Sequence, residues 1–266
     1  MKFLKWNALC LILAALTVAC STNKKSDESA EETTEQMDTT SSITLTKAPD
    51  SPQYPEASLS KNGVAITPND SLFTVEYDFE VANYELGVQT EDAATRGIAN
   101  SGKGQHIHFI VNNGPYSAHY MTGVIDQLAA GNYVVLAFLS RSYHESVKSE
   151  GAYYIENITV GDVASEEVDL DAPHLFFSRP KGTYAGADTK KLMLDFYLLN
   201  TTLSADGNKV RATINGEEFM IDEWAPYYIE GLEKGEVAIK LELVDATGVV
   251  IPGPFNRVER TVMLEE

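Results

Sequence analysis

The chain is nearly free of thiols: its 266 residues include two cysteines, Cys10 and Cys20. A disulfide framework of the kind that staples small secreted domains is therefore excluded, and any folded domain must rest on an apolar core. Basic charge is also scarce. Lys and Arg total 20 against 39 Asp and Glu, a formal net charge of −19, and no basic cluster is longer than Lys24-Lys25. Binding to phosphate backbones needs Lys and Arg to neutralise charge, so no nucleic-acid partner is expected. No segment approaches the roughly 20 apolar residues that a membrane-spanning helix requires. A nucleophile-elbow glycine motif, a phosphate loop and a cysteine nucleophile are all lacking, and no enzymatic activity is expected.

What is present begins at the first residues. Lys2 and Lys5 precede an apolar run from Ala8 to Val18, followed by the small residue Ala19 and then Cys20. This is the pattern of a cleavable signal peptide over residues 1–19. Leu16-Thr17-Val18-Ala19-Cys20 resembles the bacterial lipobox, with Thr17 where leucine is usual. The resemblance implies lipidation of Cys20 and membrane attachment through lipid only. Cleavage removes two lysines and no acid, taking the charge from −19 to −21. Residues 20–42 then form the lipidated cysteine and an acidic tether. Residues 21–42 hold one large apolar residue, Met37, too little to offset the entropy of ordering. The acidic stretch resembles surface-export signals of lipoproteins in some Gram-negative groups. Ser21 is not the aspartate that favours inner-membrane retention. Together they imply a lipid anchor in the outer membrane, facing the periplasm or the cell surface.

From Ile43 onward, short alternating apolar runs are separated by Gly, Pro, Asn and Asp, which predicts an all-β fold. The sequence also repeats. VEYDFEVANYEL (75–86) aligns without gaps on LMLDFYLLNTTL (192–203), IHFIVNNGPY (107–116) on VRATINGEEF (210–219), and VIDQLAAGNYVVLAFL (124–139) on YIEGLEKGEVAIKLEL (228–243). LTKAPDSPQYP (45–55) is similar to FFSRPKGTYAG (176–186). Four blocks in one order predict two tandem domains, 43–163 and 172–266, joined by a linker over 164–171. The L-x-x-G-x-apolar-x-apolar-x-apolar pattern of Leu232 to Leu243 resembles the penultimate strand of bacterial extracellular immunoglobulin-like domains, which implies two immunoglobulin-like β-sandwiches. As a whole the chain resembles two-domain lipoproteins of Gram-negative envelopes whose first domain carries a GQHIHFIVNNGPY-like segment, a group that brings no established mechanism with it.

Two domains that share a core must agree on inward positions, so their differences are informative. Alternation puts Val210, Ala212 and Ile214 inward in domain two, and Ile107, Phe109 and Val111 inward in domain one. His106, His108 and Ile110 then face outward, the two histidines about 7 Å apart along the strand. On the later strand, domain two points Ala238, Lys240 and Glu242 outward. Domain one has the apolar row Val134, Leu136 and Phe138 there, leading into Ser140-Arg141-Ser142-Tyr143-His144.

This face, comprising His106, His108, Val134, Leu136, Phe138, Arg141 and His144, has two readings. As an open surface it is a docking site for an envelope or extracellular protein or another ligand, making the chain a non-enzymatic binding or scaffolding module. Alternatively it is covered, either by domain two or by the insertion VQTEDAATRGIANSGKGQ that domain one carries before Ile107. A second function is metal binding: His106, His108 and His144 form a candidate zinc or copper set, since a His-x-His strand pair commonly presents two imidazoles to one ion. Otherwise no cofactor is expected. LSRSYHESV is also similar to the Ser-Arg-x-His segment of forkhead-associated domains, with one residue too many, and this implies a weaker alternative, phosphopeptide binding around Ser140, Arg141 and Ser142.

Overall fold

The computed structural model describes residues 42–266. The expected signal peptide, Cys20 and the tether up to residue 41 lie outside the described residues. Among the described residues no helix is long and apolar enough to cross a membrane.

In chain order the strands are β1 (Thr44–Lys47), β2 (Ser58–Asn69), β3 (Leu72–Ala82), β4 (His106–Val111), β5 (Ser117–His119), β6 (Gly123–Leu128), β7 (Gly131–Ser140) and β8 (Tyr153–Val160). They continue as β9 (His174–Arg179), β10 (Thr183–Tyr184), β11 (Lys191–Leu199), β12 (Lys209–Ile214), β13 (Glu217–Ile221), β14 (Tyr227–Glu230), β15 (Gly235–Val244) and β16 (Arg257–Leu264). One short helix, α1 (Ala93–Arg96), lies in the insertion.

These strands build two immunoglobulin-like β-sandwiches. The first packs the sheet β2-β3-β6 on β5-β4-β7-β8, and the second packs β1-β14-β11-β9 on β10-β16-β15-β12-β13. The repeat is visible in the pairing: β4 with β7 in the first sandwich answers β12 with β15 in the second. Each core is built from the positions that alternation puts inward. Ile107, Phe109, Val135, Ala137 and Leu139 fill the first; Val210, Ala212, Ile214, Val237, Ile239 and Leu241 fill the second.

One boundary differs from the sequence expectation. β1, expected to open domain one, instead pairs antiparallel with β14, with Leu45 opposite Ile229 and Lys47 opposite Tyr227. Leu45 packs against the second core. The chain therefore adds an edge strand to the second sandwich before crossing over to build the first. The physical reason is an unpaired edge: β14 has β11 on one side only, and β1 satisfies the backbone groups on the other.

The apolar row of β7 is covered by the second sandwich. Val134, Leu136 and Phe138, together with Ile110 and Tyr116, form one buried cluster with Phe176 of β9, Tyr197 and Leu199 of β11, and Phe255. Phe138 and Tyr197 stack at 4.7 Å between ring centroids. The expectation of an open partner face is thereby corrected. Val134, Leu136, Phe138, His106 and His108 are each at most 1 % exposed. Removing the Val134, Leu136 and Phe138 side chains from water stabilises the contact by about 1.5–3 kcal/mol apiece, more than an open face could forgo.

Polar groups fix the register of the two sandwiches. Asn113, in a left-handed turn conformation after β4, donates to the carbonyls of Leu175 and Phe255 and accepts from the Phe177 amide. Buried Asp195 of β11 accepts from the Ser146 amide and hydroxyl and from the Lys148 ammonium. The insertion braces the same junction: Ile98 is buried with Ala48, Tyr143, Met193 and Tyr228. Arg96 donates to the Pro49 and Asp50 carbonyls.

Candidate metal site between the sandwiches

The three histidines singled out by sequence meet at the edge of this interface. His106 and His108 project from the outer face of β4, and both are 0 % exposed. His144 comes from the turn after β7 and is half-buried, with φ of +70°. A non-glycine residue held in that left-handed region is uncommon, and here it turns the imidazole toward β4.

His106 Nε2 lies 2.9 Å from His108 Nε2 and 3.1 Å from His144 Nδ1. One potential ligand atom from each ring falls within 4.8 Å of the others. Two of the outer nitrogens are held. His106 Nδ1 donates to the Gly104 carbonyl at 2.8 Å, and His108 Nδ1 contacts the Ser178 hydroxyl of β9 at 3.1 Å. Gly104 has φ of +88°, and a Cβ there would collide with the Val88 carbonyl, so glycine is what lets this loop close on His106. Tyr116 stacks on His108 with 3.5 Å between centroids and brings its hydroxyl to 3.2 Å from His144 Nδ1.

Burial keeps all three rings neutral near pH 7. Desolvation pushes His106 down to about 4, its bond to Gly104 notwithstanding, and holds His108 well below the ordinary imidazole range. His144 is lowered by the same cause, with Arg179 and the His106 ring adding to it.

Neutrality exposes a conflict of protons. With Nδ1 of His106 donating to a carbonyl, its Nε2 has no hydrogen and offers one lone pair. Two ring nitrogens approach that lone pair. If both carry hydrogens they compete for it, and if either does not, two lone pairs face each other at about van der Waals contact or closer. A cation placed among the three nitrogens removes the conflict. The outer contacts of His106 and His108 to a carbonyl and a hydroxyl are the kind of second-layer bonds that orient imidazole ligands.

The two remaining histidines stay apart from this cluster. His119 contacts the Ser117 hydroxyl through Nε2, and His174 contacts the Asp169 carbonyl. Arg141 does not offer a phosphate site. It is 3 % exposed, forms an ion pair with Glu145 at 3.1 Å, and donates to the Pro52 and Ser146 carbonyls. Ser140 and Ser142 are 0 % exposed. The phosphopeptide alternative is corrected on that ground: the donors are spent inside the fold. Ser178, Arg179 and Lys181, which border the cluster from the second sandwich, carry no signal in the first domain's sequence; only the folded interface brings them there.

No protein-family model matches this chain, and no curated protein matches it. Among solved structures, the fibronectin(III)-like modules of Clostridium thermocellum CbhA are similar over 78 % of this chain and 94 % of theirs, at 10 % identity and a TM-score of 0.28. A likeness at that level carries nothing about function.

Proposed function

We propose that the protein is a non-enzymatic, lipid-anchored envelope protein that binds one late first-row transition ion, zinc or copper, at His106, His108 and His144. The observation that carries the metal reading is the convergence of three neutral imidazole nitrogens on one point. Imidazole suits both metals, and three rings, two of them held by outer hydrogen bonds, are an adequate set with one position left for a further ligand. The docking of the two sandwiches would serve the site, since β4 and the turn after β7 supply the ligands and β9 supplies Ser178. The anchor reading rests on the lipobox-like segment before Cys20 and on the acidic tether, which together support outer-membrane attachment.

The test of the metal reading is stoichiometric. After incubation with zinc or copper and desalting, the full chain should retain one ion and melt at a higher temperature. A free metal concentration about 100-fold above Kd stabilises by about 2.7 kcal/mol. His144→Asn keeps a residue that tolerates positive φ and should lose both effects while remaining folded. An unchanged melting temperature and no retained ion would refute the reading. Incorporation of labelled fatty acid that disappears in Cys20→Ala would support the anchor, and unchanged incorporation would exclude it.

A further inference from the structure

We infer that the three-histidine site is selective for the cuprous ion over divalent zinc and copper. This rests on the metal reading above and specifies its charge. Among the described residues, no carboxylate joins the cluster of ligands. The ring that packs on His108 instead carries cations: the Lys181 ammonium lies 4.0 Å from the centroid of Tyr116, and the Arg179 guanidinium lies 5.6 Å from it. Arg260 lies close by, donating to the carbonyls of Ser178, Asn113 and Gly114.

Although the chain carries a net charge of −19, these cations have no acidic partner among the described residues. Among the described residues, every ion pair involves other groups. Lys181 is satisfied by the Tyr116 carbonyl and Arg179 by the Tyr184 hydroxyl, neither of which cancels charge. Lys181 and Arg179 thus stand against the ring that packs on His108, adding positive charge beside a ligand set that contributes no negative charge.

An ion entering such a site loses hydration and meets repulsion. The desolvation cost grows with the square of the ionic charge and the repulsion in proportion to it, so a divalent ion suffers about four times the first and twice the second. On three neutral imidazoles, zinc and cupric ions recover this through a water or other oxygen ligand in a fourth position. The walls formed by Tyr116, Phe138 and the backbone of β4 leave His108 without solvent contact. A monovalent ion that accepts three neutral nitrogens fits both the charge and the low ligand number. The cuprous ion is the first-row member with that charge, and imidazole is a ligand copper accepts.

The experiment uses the full chain in detergent with Cys10→Ser and Cys20→Ser, so that no thiol can supply the copper ligands. Cuprous ion under anaerobic conditions, zinc and cupric ion are each loaded, then challenged with graded excess of a chelator of known affinity. The expected result is one equivalent of cuprous ion retained at chelator levels that strip zinc and cupric ion, with retention lost in His144→Asn. Lys181→Gln removes the cation against the Tyr116 ring without touching a ligand, and it should strengthen divalent binding more than cuprous binding. Zinc or cupric ion held as tightly as cuprous ion, or tighter, would overturn the inference and leave the metal reading standing. Failure of all three ions to bind would overturn both.

Discussion

The same pair of positions serves opposite ends in the two sandwiches. In the first, His108 on β4 lies opposite Phe138 on β7; in the second, the matching pair is Arg211 on β12 opposite Glu242 on β15. Arg211 and Glu242 form an ion pair at 2.8 Å, and Lys240 and Arg257 approach the same carboxylate. That face is built from charged groups paired with one another, and no second sheet lies against it among the described residues. The corresponding face of the first sandwich is sealed by β9 and β11 and carries the imidazoles at its margin. The core positions inside are alike, so the outward residues alone decide whether the sheet meets water or another sheet. A fold repeated within one chain has been specialised by changing one face.

The largest effect should come from making the first face resemble the second. Phe138→Glu places an unpaired carboxylate against Tyr197, which should cost about 3–5 kcal/mol by denaturant titration and separate the sandwiches in solution scattering. If scattering and stability stay as in the parent, the cluster around Phe138 does not hold the two together. Leu136→Ala, which leaves a cavity without a charge, should cost about 2–5 kcal/mol and keep the sandwiches docked.

Acid should also distinguish the two faces. The folded-state pKa of His106 is depressed to about 4 from an ordinary value near 6.5, so the unfolded or undocked chain takes up its proton first as pH falls. The stability it contributes is therefore complete above about 6.5 and is lost between there and about 4, at about 1.4 kcal/mol per pH unit for each such histidine. His108 and His144 act in the same direction. The second sandwich has Lys209 and Arg211 at the positions matching His106 and His108, so acid should open the interface before it melts that core. Scattering and near-ultraviolet circular dichroism followed from pH 7 to 4 would show this order, and simultaneous loss of both signals with the core would contradict it.

Smaller effects follow at the edges. Leu45→Glu should weaken the pairing of β1 with β14 by about 1–2 kcal/mol and accelerate amide exchange in β14 while leaving β2 and β3 unaffected. Faster exchange in β2 instead would return β1 to the first sandwich. Lys240→Leu imitates Leu136 on the second sandwich and removes one of three cations on the Glu242 carboxylate; with Arg211 still paired to it, the cost should stay at about 1 kcal/mol.

Much of this comparison can be read from the residues. Alternation places Ile107 and Phe109 inside and His106, His108, Leu136 and Phe138 outside, as the clusters bear out. The histidines can be named from a strand pair and a nearby turn. What covers the face is harder to read, although a signal exists: Leu192 to Leu199 is apolar at every position except Asp195, the mark of a strand buried on both sides. Met193, Tyr197 and Leu199 are indeed buried on its outer face. The likeness of 45–55 to 176–186 misdirects, because a strand's own sequence does not say which free sheet edge it will join. The convergence of His144 depends on one backbone angle in a turn, and no periodicity encodes that.

The most direct test of the account is anomalous diffraction at the copper edge from crystals grown anaerobically with cuprous ion. One peak should lie between His106 Nε2, His108 Nε2 and His144 Nδ1, with the sandwiches docked through Phe138 and Tyr197. A peak elsewhere, or no peak at those three nitrogens, would contradict it.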